Sequence, residues 1–243
     1  MYSLANNPLK YGVIKLNTEA ILSDSVGHVK LIFRSIGKGT YQYVRKIGES
    51  KIEKTLITSD NEVGIYPTTP NIIYPEYSEF VYVKFSNELI IESGGETEFF
   101  IKAPVGIVLT LKNEEIFDGF TLNEKHALYG SLVKGVLARY FASKIHFEKP
   151  SNIAFGEAVV KVKIANVFDE AANVSKIVFP TTGVPLYYSV DGYEAFYANV
   201  IMKVVDRGIA EITVLDEKPF NNLKESPVKI GSLKKSFVME WGI

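Results

Sequence analysis

Short runs in which apolar and polar residues alternate one for one recur along this chain, and a period of two is the period of a β-strand. In the run from His28 to Ser35, Val29, Leu31 and Phe33 point one way while His28, Lys30 and Arg34 point the other. From Glu157 to Ile164, Ala158, Val160, Val162 and Ile164 oppose Val159, Lys161 and Lys163. Further strand candidates are Thr40–Ile47, Ile52–Thr58, Glu79–Phe85, Glu88–Ile91, Thr97–Ala103, Gly106–Lys112, Val174–Phe179, Phe196–Val205, Gly208–Leu215 and Ser236–Trp241. Ile and Val outnumber Leu and Ala, a bias that suits a pleated sheet because β-branched side chains lose rotamer freedom in a helix.

The connectors read as tight turns. Ser86-Asn87 separates two of the expected strands, and Ser93-Gly94-Gly95-Glu96 the next two. Asp206-Arg207-Gly208 has hairpin spacing, with Gly supplying the positive φ such turns need. Asp118-Gly119 and Asp191-Gly192 are similar. Many short strands joined this way imply a mainly β fold with little helix, an antiparallel β-sandwich or barrel rather than a doubly wound α/β sheet.

One segment resists assignment. From Lys125 to Ser143, Leu128, Leu132, Val136 and Tyr140 recur every four residues beside Tyr129, Val133, Leu137 and Phe141, which is a helical stripe. Gly130 and Gly135 oppose that reading, each costing up to ~1 kcal/mol in a helix interior. The reading favoured here is a turn near Lys134-Gly135 followed by a strand from Val136 to Phe147.

Two stretches echo one another. Tyr66-Pro67-Thr68-Thr69 precedes Ile73-Tyr74, and Phe179-Pro180-Thr181-Thr182 precedes Leu186-Tyr187, each leading into a longer strand. Together with the polar break at Asn113-Glu114-Glu115, this suggests two sandwich-like modules, 1–117 and 118–243.

Composition narrows the function classes. The formal net charge is −1, from 27 basic and 28 acidic residues, whereas nucleic-acid binders generally carry a basic excess; no nucleic-acid partner is expected. No uncharged apolar run approaches the ~20 residues a spanning helix needs, so no membrane partner is expected. Met1 to Pro8 has neither the charged nor the apolar region of a signal peptide, and a cytoplasmic location is expected. The chain has no cysteine, which rules out disulfides and thiolate zinc sites.

Catalytic signatures are missing. Gly37-Lys38-Gly39-Thr40 lacks the first Gly and the Ser/Thr of a phosphate-binding loop. No Gly-x-Ser-x-Gly elbow occurs, and Ser-x-x-Lys recurs at unrelated places, Ser35–Lys38, Ser131–Lys134 and Ser232–Lys235 among them, without its companion motifs. His28, His126 and His146 do not pair at ligand spacing, so no metal and no cofactor is expected. Glu92, Glu96 and Glu98 cluster at a Gly-Gly turn, where paired carboxylates either solvate a hairpin or hydrolyse a glycoside.

The densest constellation runs from Asp118-Gly119-Phe120 through His126-Ala127-Leu128-Tyr129-Gly130 to Gly135-Val136-Leu137-Ala138-Arg139-Tyr140. Ala127-Leu128-Tyr129-Gly130 with Gly135, Arg139 and Tyr140 resembles the Ala-Leu-Tyr-Gly … Gly-x-x-x-Arg-Tyr pattern of an uncharacterised archaeal family, a domain of unknown function. The resemblance implies an archaeal origin and a strand after Gly135, and it implies no activity. Arg139 lies among apolar residues, and a guanidinium there must meet a carboxylate, backbone carbonyls or a ligand anion. Asp118 is the expected partner in a structural brace, with anion binding as the alternative. The candidate binding residues are therefore Arg139, Asp118, His126, Tyr129 and Tyr140.

Tyrosines concentrate at Tyr66, Tyr74, Tyr77 and Tyr82 and at Tyr187, Tyr188, Tyr193 and Tyr197, either packing sandwich ends or forming a recognition surface. Two functions remain. One is a non-enzymatic module binding a protein partner or its own copy in a homo-oligomer. The other is a carbohydrate-active or other small-ligand enzyme using dispersed carboxylates, which needs a pocket where carboxylates and aromatics converge.

Overall fold

The computed structural model describes residues 6–16, 18–25, 27–72 and 78–243. The part of the echo at Ile73-Tyr74, and Tyr77, lie outside them. Among the described residues strand is nearly the sole regular secondary structure, beside one short 3-10 turn at Lys112–Glu114.

Sheet A contains β1 (Asn6–Pro8), β3 (Glu19–Ser23), β4 (Val29–Gly37), β5 (Thr40–Ile47) and β6 (Ser50–Ile57), in that order. Sheet B contains β11 (Ile116–Thr121), β10 (Gly106–Thr110), β7 (Glu62–Thr68) and β2 (Gly12–Lys15). Sheet C runs β12 (His126–Tyr129), β13 (Val136–Ser143), β8 (Phe80–Ile91) and β15 (Ala172–Pro180). Sheet D runs β20 (Leu223–Glu225), β16 (Leu186–Ser189), β17 (Ala195–Tyr197), β14 (Glu157–Asn166), β18 (Val200–Asp206), β19 (Ile209–Val214) and β21 (Ser236–Met239), with β9 (Glu96–Pro104) also on β14. Most pairings are antiparallel; β1/β3, β13/β8, β14/β17 and β14/β18 are parallel.

The alternating runs become half-buried strands as expected. Val29, Leu31 and Phe33 of β4 and Val160, Val162 and Ile164 of β14 are fully buried. Sheets A and B face each other through Tyr43 of β5 and Phe117 of β11, in edge contact at 5.3 Å. Sheets C and D meet through Phe179 of β15 and Tyr197 of β17, at 5.5 Å and 84°. Tyr11 stacks on Phe155 at 4.8 Å, and Tyr66 lies 6.0 Å from Tyr188, so aromatic rings seal the seam between the two pairs of sheets. One continuous apolar cluster runs through all four sheets.

The expected division at 117/118 does not coincide with this arrangement. It falls inside β11, and the chain crosses between the two sandwiches three times. Residues before β8 build sheets A and B, β8 and β9 join sheets C and D, β10 and β11 return to sheet B, and β12 onwards rejoins C and D. The first crossing is the connection from Thr68 to Phe80, the second is Val105 alone, and the third runs from Thr121 to His126.

Ser86-Asn87 is a second departure. One strand, β8, passes through it, because Val174 faces Leu89 while Lys176 faces Lys84. Four residues of β8 therefore bulge opposite Ser175, and the polar pair marks that bulge rather than a turn. Between residues 125 and 147 the helical stripe is not realised: β12, a turn and β13 form a hairpin, as favoured, although β13 ends at Ser143.

Candidate functional site

The expected Arg139–Asp118 pair does not form; the two residues serve different sandwiches. Asp118, in β11 of sheet B, is buried against sheet A. Its Oδ2 accepts from Arg45 Nε at 2.8 Å and from the Tyr43 hydroxyl at 2.7 Å, and its Oδ1 accepts from Lys54 Nζ at 3.3 Å. The Arg45 guanidinium also lies over the Phe120 ring, 4.7 Å from its centre. Burial and the adjacent Asp118 carboxylate push the Tyr43 phenol far above its usual range. The signal for this partnership was the alternation Tyr41, Tyr43, Arg45 in β5, which puts an arginine in line with two buried tyrosines.

Arg139, in β13, is buried and held by oxygens of the crossings instead. Nη2 donates to the Pro70 carbonyl at 3.2 Å, Nε to Asn71 Oδ1 at 3.2 Å and Nη1 to the Asn123 carbonyl at 2.9 Å. It thus ties the first and third crossings together. Burial lowers its pKa, with the Glu124 charge opposing that shift. Tyr197, a residue sequence reasoning grouped only with the loop tyrosines, pins the second crossing by donating to the Pro104 carbonyl at 2.7 Å. The two echoing turns also meet here, with Thr69 Oγ1 3.2 Å from Thr181 Oγ1.

The other candidates divide between the faces of the β12–β13 hairpin. His126 is exposed, directly across from Arg139, and partial burial together with the Arg139 charge lowers its pKa. Tyr129 lies on the opposite face, its hydroxyl donating to Gly242 O and accepting from Trp241 N, each at 3.0 Å. Burial pushes that phenol up to about 12. Tyr140 packs on Tyr82 at 5.6 Å. The structure therefore joins Arg139 with His126, and separates both from Asp118, Tyr129 and Tyr140.

The hairpin carries a feature that motif reading passed over. Its turn is closed by Gly135 N–H to Ser131 O at 2.7 Å, and it presents Leu132 and Val133 at 94% and 92% exposure. Leu128 and Leu137, directly opposite each other, are 43% and 41% exposed. Trp241 lies against Gly130 at the base of the same turn and is 42% exposed. Large apolar side chains exposed together on a folded protein are a feature of interaction sites.

Elsewhere, charged side chains neutralise one another on the surface. Glu96 pairs with Lys163 at 3.3 Å and Glu98 with Lys161 at 2.9 Å across β9 and β14. An open hollow of ≈ 710 Å³ holds Asp60 and Glu62 without an aromatic ring and one of ≈ 780 Å³ holds Tyr41 without a carboxylate, while one of ≈ 310 Å³ sets a single carboxylate, Asp24, beside Phe155 and Tyr193. Among the described residues, no three His, Asp or Glu side chains gather as metal ligands, and no helix is long and apolar enough to cross a membrane.

A family model described as protein of unknown function (DUF432) matches residues 10–240. The chain belongs to this family. The DUF432 match begins just before β2 and ends just after β21, so it takes in both sandwiches except β1, all three crossings and the hairpin. No curated protein and no solved structure matches this DUF432 chain.

Proposed function

We propose that this chain is a non-catalytic binding module that recognises a protein partner or its own copy through the β12–β13 hairpin. The observation that carries this reading is the exposure of Leu132 and Val133 at the hairpin tip, with Leu128, Leu137 and Trp241 also partly exposed along the hairpin and at its base. Ordering large aliphatic side chains in water gains nothing for a monomer, whereas burying each against a partner is worth about 1.5–3 kcal/mol. The carboxylates at the Gly-Gly turn, by contrast, face lysines across a solvated ladder, which favours binding over glycoside chemistry.

The test is a photo-crosslinking side chain at position 133 of the full chain, activated in the cells that make it. One discrete adduct is expected, either with the chain's own copy or with a single second polypeptide identified by mass spectrometry. Adding Leu132→Glu should abolish it. No adduct, or an indiscriminate ladder that Leu132→Glu leaves unchanged, would overturn the reading.

A further inference from the structure

β12 is the outer strand of sheet C, and its pairing shows which backbone groups it leaves unused. Tyr140 N donates to Lys125 O at 2.9 Å, so 125 and 140 form a hydrogen-bonded pair of the antiparallel ladder. With Ala127 opposite Ala138 and Tyr129 opposite Val136, alternation makes those pairs hydrogen-bonded too. The N–H and C=O groups of His126 and Leu128 therefore point away from β13. Among the described residues, none of the four takes a backbone hydrogen bond.

Soluble proteins protect such edges with charge or proline. β6 carries Lys51, Glu53 and Lys54, β15 carries Lys176, and β1 ends on Pro8. The sequence of β12 is His-Ala-Leu-Tyr, with no Lys, Glu, Asp or Pro, a lack it shares with β21 (Ser-Phe-Val-Met) at the edge of sheet D. But β12 also has the exposed Leu128 on it and Leu132 and Val133 beside it. An unprotected edge flanked by exposed aliphatic side chains favours addition of another strand.

Resting on the binding reading above, we infer that the occupant of this edge is a second copy of the chain, paired β12 to β12 in antiparallel register about a two-fold axis at Ala127. That register sets His126 opposite the second copy's Leu128, and the reverse. All four free backbone groups of each strand are then used, and sheet C continues into an eight-stranded sheet. Continuing outward, Gly130 at the start of the turn faces the second copy's Glu124, which brings Lys134 of that turn beside it. Lys134 and Glu124 are both exposed, and neither is in an ion pair among the described residues. The two-fold axis makes this opposite-charge contact twice. A surface that complements itself in both backbone and charge suits an isologous dimer.

The experiment is light scattering coupled to size exclusion on the full chain, with sedimentation to obtain the dissociation constant. The expected mass is twice the 27.1 kDa of one chain. Leu128→Pro removes only an outward N–H and no β12–β13 bond, so it should give a folded monomer. Lys134→Glu and Glu124→Lys should each weaken the dimer several-fold through like-charge contacts, and the double exchange should restore it. This exchange keeps the inference falsifiable should Leu128→Pro fail to fold. A wild-type monomer at every concentration would overturn the dimer, as would a dimer indifferent to all these changes. A monomer whose position 133 still crosslinks to one other polypeptide would overturn the dimer alone and leave the binding reading standing; no adduct at all would remove both.

Discussion

Tyr197 donates its hydroxyl to the carbonyl of Pro104 at 2.7 Å, fixing the single-residue crossing at Val105 from inside the C/D sandwich. Tyr197 is fully buried, as is Val105. Tyr197→Phe preserves the ring and its edge contact with Phe179 but leaves the Pro104 carbonyl without this donor. An unsatisfied buried group costs about 1–3 kcal/mol. The urea midpoint should fall accordingly while the slope stays constant, since the same surface is exposed on unfolding.

Asp118 and Arg45 should be energetically coupled, whereas Asp118 and Arg139 should not. Both members of the first pair are almost fully buried, with side-chain exposures of 4% and 10%. Removing one charge of such a pair typically costs ~3–5 kcal/mol. Asp118→Ala should therefore lower the melting temperature strongly, and Asp118→Ala with Arg45→Met should recover much of the loss. Adding Arg139→Met to Asp118→Ala should give additive losses, because Arg139 serves Pro70, Asn71 and Asn123. A double-mutant cycle by thermal or urea unfolding measures both couplings.

These two residues also show how far the sequence reaches. Alternation identifies the inward faces of β4 and β14 correctly, because a strand beside a core must match the two-residue period. It does not say which sheet a strand joins. Arg139 and Asp118 lie within one short, motif-like stretch, and nearness in sequence suggested that they pair. The third crossing falls between them, leaving Asp118 in sheet B and Arg139 in sheet C. The burial of Arg139 was legible from its apolar neighbours. Its acceptors were not, since two are backbone carbonyls, which any residue supplies. Leu132 and Val133 fit either a helical stripe or the approach to a turn by sequence, and only the hairpin geometry exposes them.

Alkaline pH should unfold the chain. Burial raises the pKa of Tyr11, Tyr43 and Tyr197 well above the ordinary 10, and that of Tyr129 to about 12. Each group holds its proton more tightly folded than unfolded. The associated stability is complete below pH 10 and is lost as pH rises through the folded pKa values. The urea midpoint should therefore fall steadily above pH 10. Tyrosinate absorbance at 295 nm should rise in two stages, exposed phenols first and the buried ones only with loss of the β-sheet circular dichroism. Ionisation of all 14 tyrosines in one smooth step while the sheet signal persists would contradict the burial.

Gly130→Ala should disturb the hairpin and report it through Trp241. Gly130 has φ +107, where an L side chain is strained, and a Cβ there would lie 2.7 Å from Trp241 Nε1 and 2.8 Å from the Gly135 Cα. The backbone contact cannot yield as a flexible side chain would, so the turn or the indole must move. Strain of this kind costs about 1–3 kcal/mol, though local opening of an edge hairpin relieves part of it without unfolding the sandwiches. Trp241 is the sole tryptophan, so the fluorescence of the folded protein reads this site alone. The emission maximum should shift as the indole leaves Gly130. Amide exchange should accelerate at Tyr129 and Val136, a hydrogen-bonded pair of the β12–β13 ladder, and stay unchanged in β14. An unaltered Trp241 spectrum in a fully folded Gly130→Ala variant would show that the indole does not rest on the turn.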